Sequence, residues 1–253
     1  MTKFSANLGF LWTDRPLPDA IHTAKAAGFD AVEVHWPYKV LAAEVKAALN
    51  DTGLPLLGLN TVPGRPGENG SAALPGREAD ARAAIDQAAE YAAATGARAM
   101  HVMAGFAGGP RAHDTFIANL TYASDVAPPG STIVIEPLNH YDAPGYFLST
   151  SAQAAAIVRE VGRPNVKIMF DCYHIAIMEG DLSRRLARLL PLIGHIQFAS
   201  VPDRGPPDAG EVNFTHLFAH IDSLGWDVPL GAEYKSTKPT DETLGWLKAL
   251  YGR

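Results

Sequence analysis

Cysteine is nearly absent from this chain of 253 residues. Cys172 is its one thiol, which excludes an internal disulfide and also excludes cysteine-ligated zinc or iron–sulfur centres. Long apolar runs are missing too. None approaches the roughly 18 residues that a bilayer crossing needs. The opening stretch, MTKFSANLGFLWTD, has one Lys, a short apolar segment and an early Asp. That is a poor secretory leader, so a cytoplasmic location is expected. Positive charge is scarce. Lys and Arg total 21 against 27 Asp and Glu, a formal net charge of −6. This balance works against a nucleic-acid surface, which needs concentrated Lys and Arg. No GxGxxG follows the first strand-like run, so the dinucleotide-binding form of an open α/β sheet lacks its fingerprint.

What is present is a strict alternation. Strand-like runs are FSANL (4–8), AVEVHW (31–36), LPLLGLN (54–60), RAMHVMA (98–104), STIVIEP (131–137), NVKIMFD (165–171), GHIQFAS (194–200) and VPLGAEY (228–234). Helix-like runs fall between them, near 17–28, 40–50, 77–96, 113–126, 151–161, 182–190, 215–224 and 241–250. Gly28 and Gly96 are natural C-terminal caps. Several strands are apolar on consecutive residues, as in a parallel sheet covered on both faces. Eight strand–helix units in this length predict a single (β/α)8 barrel domain over residues 1–253. Two segments are too long and too rich in Gly and Pro to be plain connectors: 61–76 after strand 3, a candidate lid, and 201–213 after strand 7.

The strand ends carry the chemistry. IVIEP drives Glu136 to the end of an apolar run, where an unpaired carboxylate is very costly. Asp171 ends NVKIMFD, Gln197 lies in GHIQFAS, and Glu233 ends VPLGAEY. Strands 5 to 8 are neighbours around a barrel, so these side chains can converge at one mouth. Three acids and an amide carbonyl suit a hard divalent cation, Mg2+ or Mn2+. Taken singly, Asp171 reads first as a helix cap or salt-bridge partner and Gln197 as a satisfied core amide. The combination is hard to obtain from capping needs alone. His174, three residues past Asp171, reaches the same mouth, and His101 and His195 lie within strands 4 and 7. Glu33 on strand 2 is placed to support a ligand from inside the barrel, and His140 to sit on the rim. Arg204, in the loop after strand 7, suits a substrate carboxylate. Lys235 reads as an exposed lysine.

The segments FDAVEVHWPY, ALPGRE, HVMAG, IEPLNHYDAPGYFL, FDCYHIAIMEGDL, GHIQFAS, DRGPPDAGEVNF and GAEYK together resemble the hydroxypyruvate isomerase family, a branch of the xylose-isomerase-like (β/α)8 barrels. The resemblance spans nearly the whole chain, in order and spacing. It implies a metal site of Glu136, Asp171, Gln197 and Glu233, with Glu136 and Glu233 as the acid/base pair. It implies substrate contacts by His174 and Arg204, and His101 is a further candidate for that role. The implied reaction interconverts hydroxypyruvate and tartronate semialdehyde through an enediolate. The sister activity is isomerisation of 2-oxo-tetronate, and the motifs do not separate the two. Gln197 stands where many ketose 3-epimerases have His, which disfavours that branch. The expected partner is a small 2-keto or hydroxy acid, with no nucleic acid and no membrane; a homo-oligomer stays open. Competing classes are a metal-dependent phosphoesterase of the endonuclease-IV type, opposed by the acidic balance, and a non-catalytic sugar-acid binding protein, opposed by the complete glutamate pair.

Overall fold

The computed structural model describes residues 2–251. Eight parallel strands run β1 (Phe4–Asn7), β2 (Ala31–Glu33), β3 (Gly58–Asn60), β4 (Ala99–His101), β5 (Thr132–Ile135), β6 (Val166–Asp171), β7 (Ile193–Phe198) and β8 (Leu230–Ala232). They are ordered β2-β1-β8-β7-β6-β5-β4-β3. A doubly wound sheet would not place the first strand beside the last. The remaining seam, between β2 and β3, is closed by single hydrogen bonds. Leu57 N donates to Val32 O at 2.8 Å, and Asn60 N donates to His35 O at 2.8 Å. The result is a nearly closed barrel.

The helices are α1 (Leu17–Ala26), α2 (Ala42–Thr52), α3 (Glu78–Thr95), α4 (Pro110–Val126), α5 (Ser151–Val161), α6 (Cys172–Met178), α7 (Leu182–Leu189), α8 (Phe214–Ser223) and α9 (Gly245–Tyr251). Gly53, Gly96 and Gly162 end α2, α3 and α5 in the left-handed conformation that favours glycine. The main core lies between the strands and this helical shell. Phe4 and Phe198 point outward into it and meet Phe218 and Trp246, with ring centroids 4.9–5.8 Å apart. Inside the barrel, Ala99, Val134 and Met169 form a separate apolar layer. The next inward-facing residues along β4, β5 and β6, two positions on, are His101, Glu136 and Asp171. The apolar layer is thus the floor of the mouth.

Three expectations needed adjusting. Most strands are shorter than their apolar runs; β5 stops at Ile135, before Pro137, which has no N–H for a ladder. Residues after Asp171 form a short helix, α6, where no helix was expected. The C-terminal helix begins at Gly245, after a 3-10 turn over Thr240–Thr243.

Candidate active site

Glu136 follows β5 directly, Asp171 ends β6, Gln197 lies in β7 and Glu233 follows β8. Asp171 pairs with Gln197 across the ladder, and Gln197 with Gly231. That register sets Gln197 beside Asp171, at the end of the barrel that carries Glu136 and Glu233. All four are buried. Ligand atoms of Glu136, Asp171, His174 and Glu233 lie within 4.8 Å of one another.

The hydrogen bonds show what each group has left over. Asp171 Oδ1 accepts from Tyr173 N at 2.8 Å and caps α6, while Oδ2 has no hydrogen-bond partner. The capping role and the site role are therefore split between two oxygens of one carboxylate. Gln197 Nε2 donates to Glu33 Oε2 at 2.6 Å, which leaves Oε1 unpartnered. Glu136 Oε1 is also unpartnered. Buried oxygens without partners are costly unless something satisfies them. Three such oxygens beside a third carboxylate, Glu233, form an oxygen-rich donor set that fits a hard divalent cation. Glu33 is held in turn by His195 Nε2 at 3.1 Å and sits in register with Asn7 of β1.

Like charges crowded in a dry place shift their proton affinities. Burial, then Glu233 and Asp171, push the Glu136 carboxyl well above its usual range. Burial and Glu233 push Asp171 up to about 7. Burial acts on Glu233 in the same direction but is outweighed by Arg204 and His35, which hold it below the carboxylate range. Arg204 Nη2 donates to Glu233 Oε2 at 2.5 Å, and His35 Nε2 lies 3.0 Å from Oε1, where Asn7 Nδ2 also donates at 3.0 Å. Arg204 Nη1 reaches Asp142 Oδ2 at 3.2 Å. The guanidinium lies between the rings of Phe10 and Tyr173, 4.9 and 5.1 Å from their centroids.

The mouth opens into a cavity of about 180 Å³ whose lining includes His35, Trp36, His101, Glu136, His174, Arg204, Glu233 and Lys235. His101 is buried, with Nδ1 3.6 Å from Glu136 Oε2, and burial lowers its pKa to about 3, so the ring is neutral. His174 Nε2 points toward Asp171 Oδ2 at 3.6 Å and Glu136 Oε1 at 3.8 Å. Asn69 brings the 61–76 segment to the cavity. That segment is a wall more than a free flap. Ala72 N and Ala73 N donate to Met103 O and Ala104 O at 3.2 and 2.8 Å. Gly70, at φ +101°, lies where a Cβ would be 2.2 Å from Met103 O.

Of the residues expected at the mouth, Glu136, Glu233, His174, His101 and Arg204 line the cavity, Asp171 clusters with Glu136, His174 and Glu233, and Gln197 pairs with Asp171 in the ladder with its amide on Glu33. His195 faces the barrel interior on Glu33, and exposed His140 contacts Met178 Sδ at 3.0 Å. Lys235 is exposed as expected, yet it also lines the cavity, because β8 ends at Ala232 and strand alternation no longer applies. Cys172 is buried, on α6 instead of a strand. His35 and Asn139 were not anticipated. The signal for His35 was its place just past β2, at the same end as the other acids.

The chain matches the model of the family described as xylose isomerase-like TIM barrel over residues 21–250. A 2-oxo-tetronate isomerase of Cupriavidus necator is 45% identical over 260 residues, covering 100% of both chains. The hydroxypyruvate isomerase of Escherichia coli is 34% identical, covering 98% of both. A crystal structure from Brucella melitensis, titled AP endonuclease, family 2, superposes with a TM-score of 0.94 at 38% identity over 99% of both chains. The chain belongs to the hydroxypyruvate isomerase family, within the xylose isomerase-like TIM barrels.

Proposed function

We propose that this protein is a metal-dependent isomerase that interconverts hydroxypyruvate and tartronate semialdehyde. The observation that carries this is the set of buried, unpartnered oxygens of Glu136, Asp171 and Gln197 beside Glu233. Those four residues would hold Mg2+ or Mn2+. The cation, when bound, supplies Lewis-acid polarisation of the substrate carbonyl and stabilises enediolate charge. The chain's own residues do the rest. One proton leaves C3 and another arrives at C2, so a carboxylate must take the first and an acid must deliver the second. Glu136 is the better placed to take a proton, since Glu233 is held on both oxygens by Asn7, His35 and Arg204, whereas Glu136 keeps Oε2 available beside the Oε1 it would offer the cation. Glu233 serves the opposite transfer, with Asn7, His35 and Arg204 fixing its position. His101 and His174 face the substrate oxygens. Arg204 and Lys235 are cavity-lining cations that favour an anionic substrate. A cavity of this size admits a three- or four-carbon acid.

The four-carbon reading, 2-oxo-tetronate isomerisation, is favoured by the 45% identity to the Cupriavidus necator protein of that name. It keeps the same site and chemistry. The endonuclease title belongs to the Brucella melitensis structure; a formal charge of −6 and an acid-lined mouth give phosphodiester backbone little to bind. No helix among the described residues is long and apolar enough to cross a membrane. Turnover in deuterated water tests the mechanism. Proton transfer through a glutamate places solvent deuterium on the product carbon. A product free of deuterium means a hydride shift and removes the glutamates from that role.

A further inference from the structure

His174 carries two possible identities in this site. Its Nε2 lies among the carboxylates at ligand distance, so it counts geometrically as a metal ligand alongside Glu136, Asp171 and Glu233. It also lines the cavity, where a substrate would lie. The other ring nitrogen decides between them. His174 Nδ1 faces the backbone N–H of Asn139 at 3.0 Å. A backbone N–H can only donate, so Nδ1 must offer its lone pair. The side chain of Asn139 agrees. Its Oδ1 accepts from Tyr141 N at 3.0 Å and from Asp142 N at 2.9 Å, which fixes which end of the amide is oxygen. The Nδ2 end therefore faces His174 Nδ1, at 2.8 Å. Both residues are buried, and water does not offer an alternative partner.

We propose that Asn139 is a positioning residue that locks His174 in the Nε2–H tautomer, so that the ring is a hydrogen-bond donor to a substrate oxygen and is not a metal ligand. A metal-bound imidazole nitrogen needs its lone pair, and its partner nitrogen then carries the proton and donates it to an acceptor. Here the second nitrogen meets two donors and no acceptor, the opposite arrangement. Nε2–H is left without a hydrogen-bond partner, 3.6 Å from Asp171 Oδ2 and 3.8 Å from Glu136 Oε1, on a residue that lines the cavity. Such a donor is matched to the oxygen on which charge develops in an enediolate. It also assigns the remaining ligand position to the amide oxygen of Gln197, whose nitrogen end is held by Glu33. This rests on the isomerase reading for the substrate oxygen, but the tautomer itself does not.

The test is nitrogen NMR of metal-free protein labelled with 15N-histidine, the His174 signals being those lost in His174→Gln. The expected spectrum has a pyridine-type Nδ1 and a pyrrole-type Nε2. A protonated Nδ1 in the wild-type protein overturns the proposal, whatever the activity. Asn139→Asp replaces the side-chain donor with an acceptor while the backbone N–H remains, so the Nδ1–H tautomer should become populated beside the Nε2–H form, with kcat falling about tenfold or more and KM changing less. An unchanged tautomer in that variant removes the role from the side chain. Mn2+ titration, which needs no turnover, gives the second line and stays decisive if Asn139→Asp does not fold. His174→Gln should keep Mn2+ affinity within about threefold, whereas Gln197→Leu should lose about tenfold or more. The reverse ranking makes His174 the ligand and overturns the proposal. Wild-type inactivity on both acids would sink the isomerase reading and leave the tautomer result standing on its own.

Discussion

Replacing Gly231 with Ala tests the architecture beneath the site without replacing a ligand. Gly231 pairs with Gln197 across β7 and β8, and nothing in its backbone conformation demands glycine. Space demands it. A Cβ there would lie 2.4 Å from Glu33 Oε1 and 2.8 Å from Gln197 Cγ. Real Cβ contacts essentially never fall below 3.0 Å. Glu33 must therefore retreat, lengthening its 2.6 Å bond from Gln197 Nε2 and its 3.1 Å bond from His195 Nε2. Overpacking of this sort costs about 1–3 kcal/mol. Weakening hydrogen bonds to a buried carboxylate adds roughly 1–2 kcal/mol more, given about 1.5–3 kcal/mol for each such bond at full strength. The Gln197 amide then loses its anchor, and Mn2+ affinity should fall by about 10–100-fold, as for lost outer partners of other metal ligands. Urea unfolding and calorimetric Mn2+ titration measure the two effects. A Gly231→Ala protein with unchanged stability and unchanged Mn2+ affinity would refute the claim that Glu33 holds Gln197 in place.

Other outcomes follow from the same contacts. Without metal, Asp171 has its folded pKa raised from 3.8 to about 7, by burial first and then Glu233. The folded state therefore keeps a proton that the unfolded state has released, and stability is lost as pH rises through that window. Metal-free protein should lose roughly 2–3 kcal/mol of unfolding free energy between about pH 5 and pH 7.5. Urea titrations at the two pH values measure this, and Asp171→Asn, which can still cap α6, should flatten the dependence. Arg204→Ala strips Glu233 and Asp142 of a buried counter-charge, so the metal-free variant should be destabilised by about 3–5 kcal/mol, with part restored by Mn2+. The same variant should raise KM for a 2-keto acid more than it lowers kcat; an unchanged KM takes Arg204 out of substrate binding.

Much of this could be read from residue order because the barrel converts sequence into position. An apolar run buried on both faces needs its first polar residue at the mouth, so Glu136, Asp171 and Glu233 announced themselves by where their runs ended. Gln197 followed because β7 lies between two such strands. What stayed hidden depends on contacts across long stretches of chain. His35 meets Glu233 from 198 residues away, and Asn7 meets it from 226. Strand-end position marks His35 for the mouth, but no local pattern encodes either contact with Glu233. Asn139 sits in plain sight after IEPL, but its role depends on where α6 places His174, and α6 itself was not foreseen because its seven residues follow the strand without a break. Arg204 was expected on a loop facing substrate. Its turn inward onto Glu233 is set by a left-handed backbone at φ +53°, held by Lys235 N donating to Arg204 O at 2.7 Å.

The most direct test of the account is turnover by purified protein, stripped of metal and then given Mg2+ or Mn2+, on hydroxypyruvate and 2-oxo-tetronate side by side. The account predicts negligible activity without metal and restored activity with it on at least one of the two acids, with the larger kcat/KM naming the substrate. Full activity after stripping, or none on either acid with metal present, would contradict it.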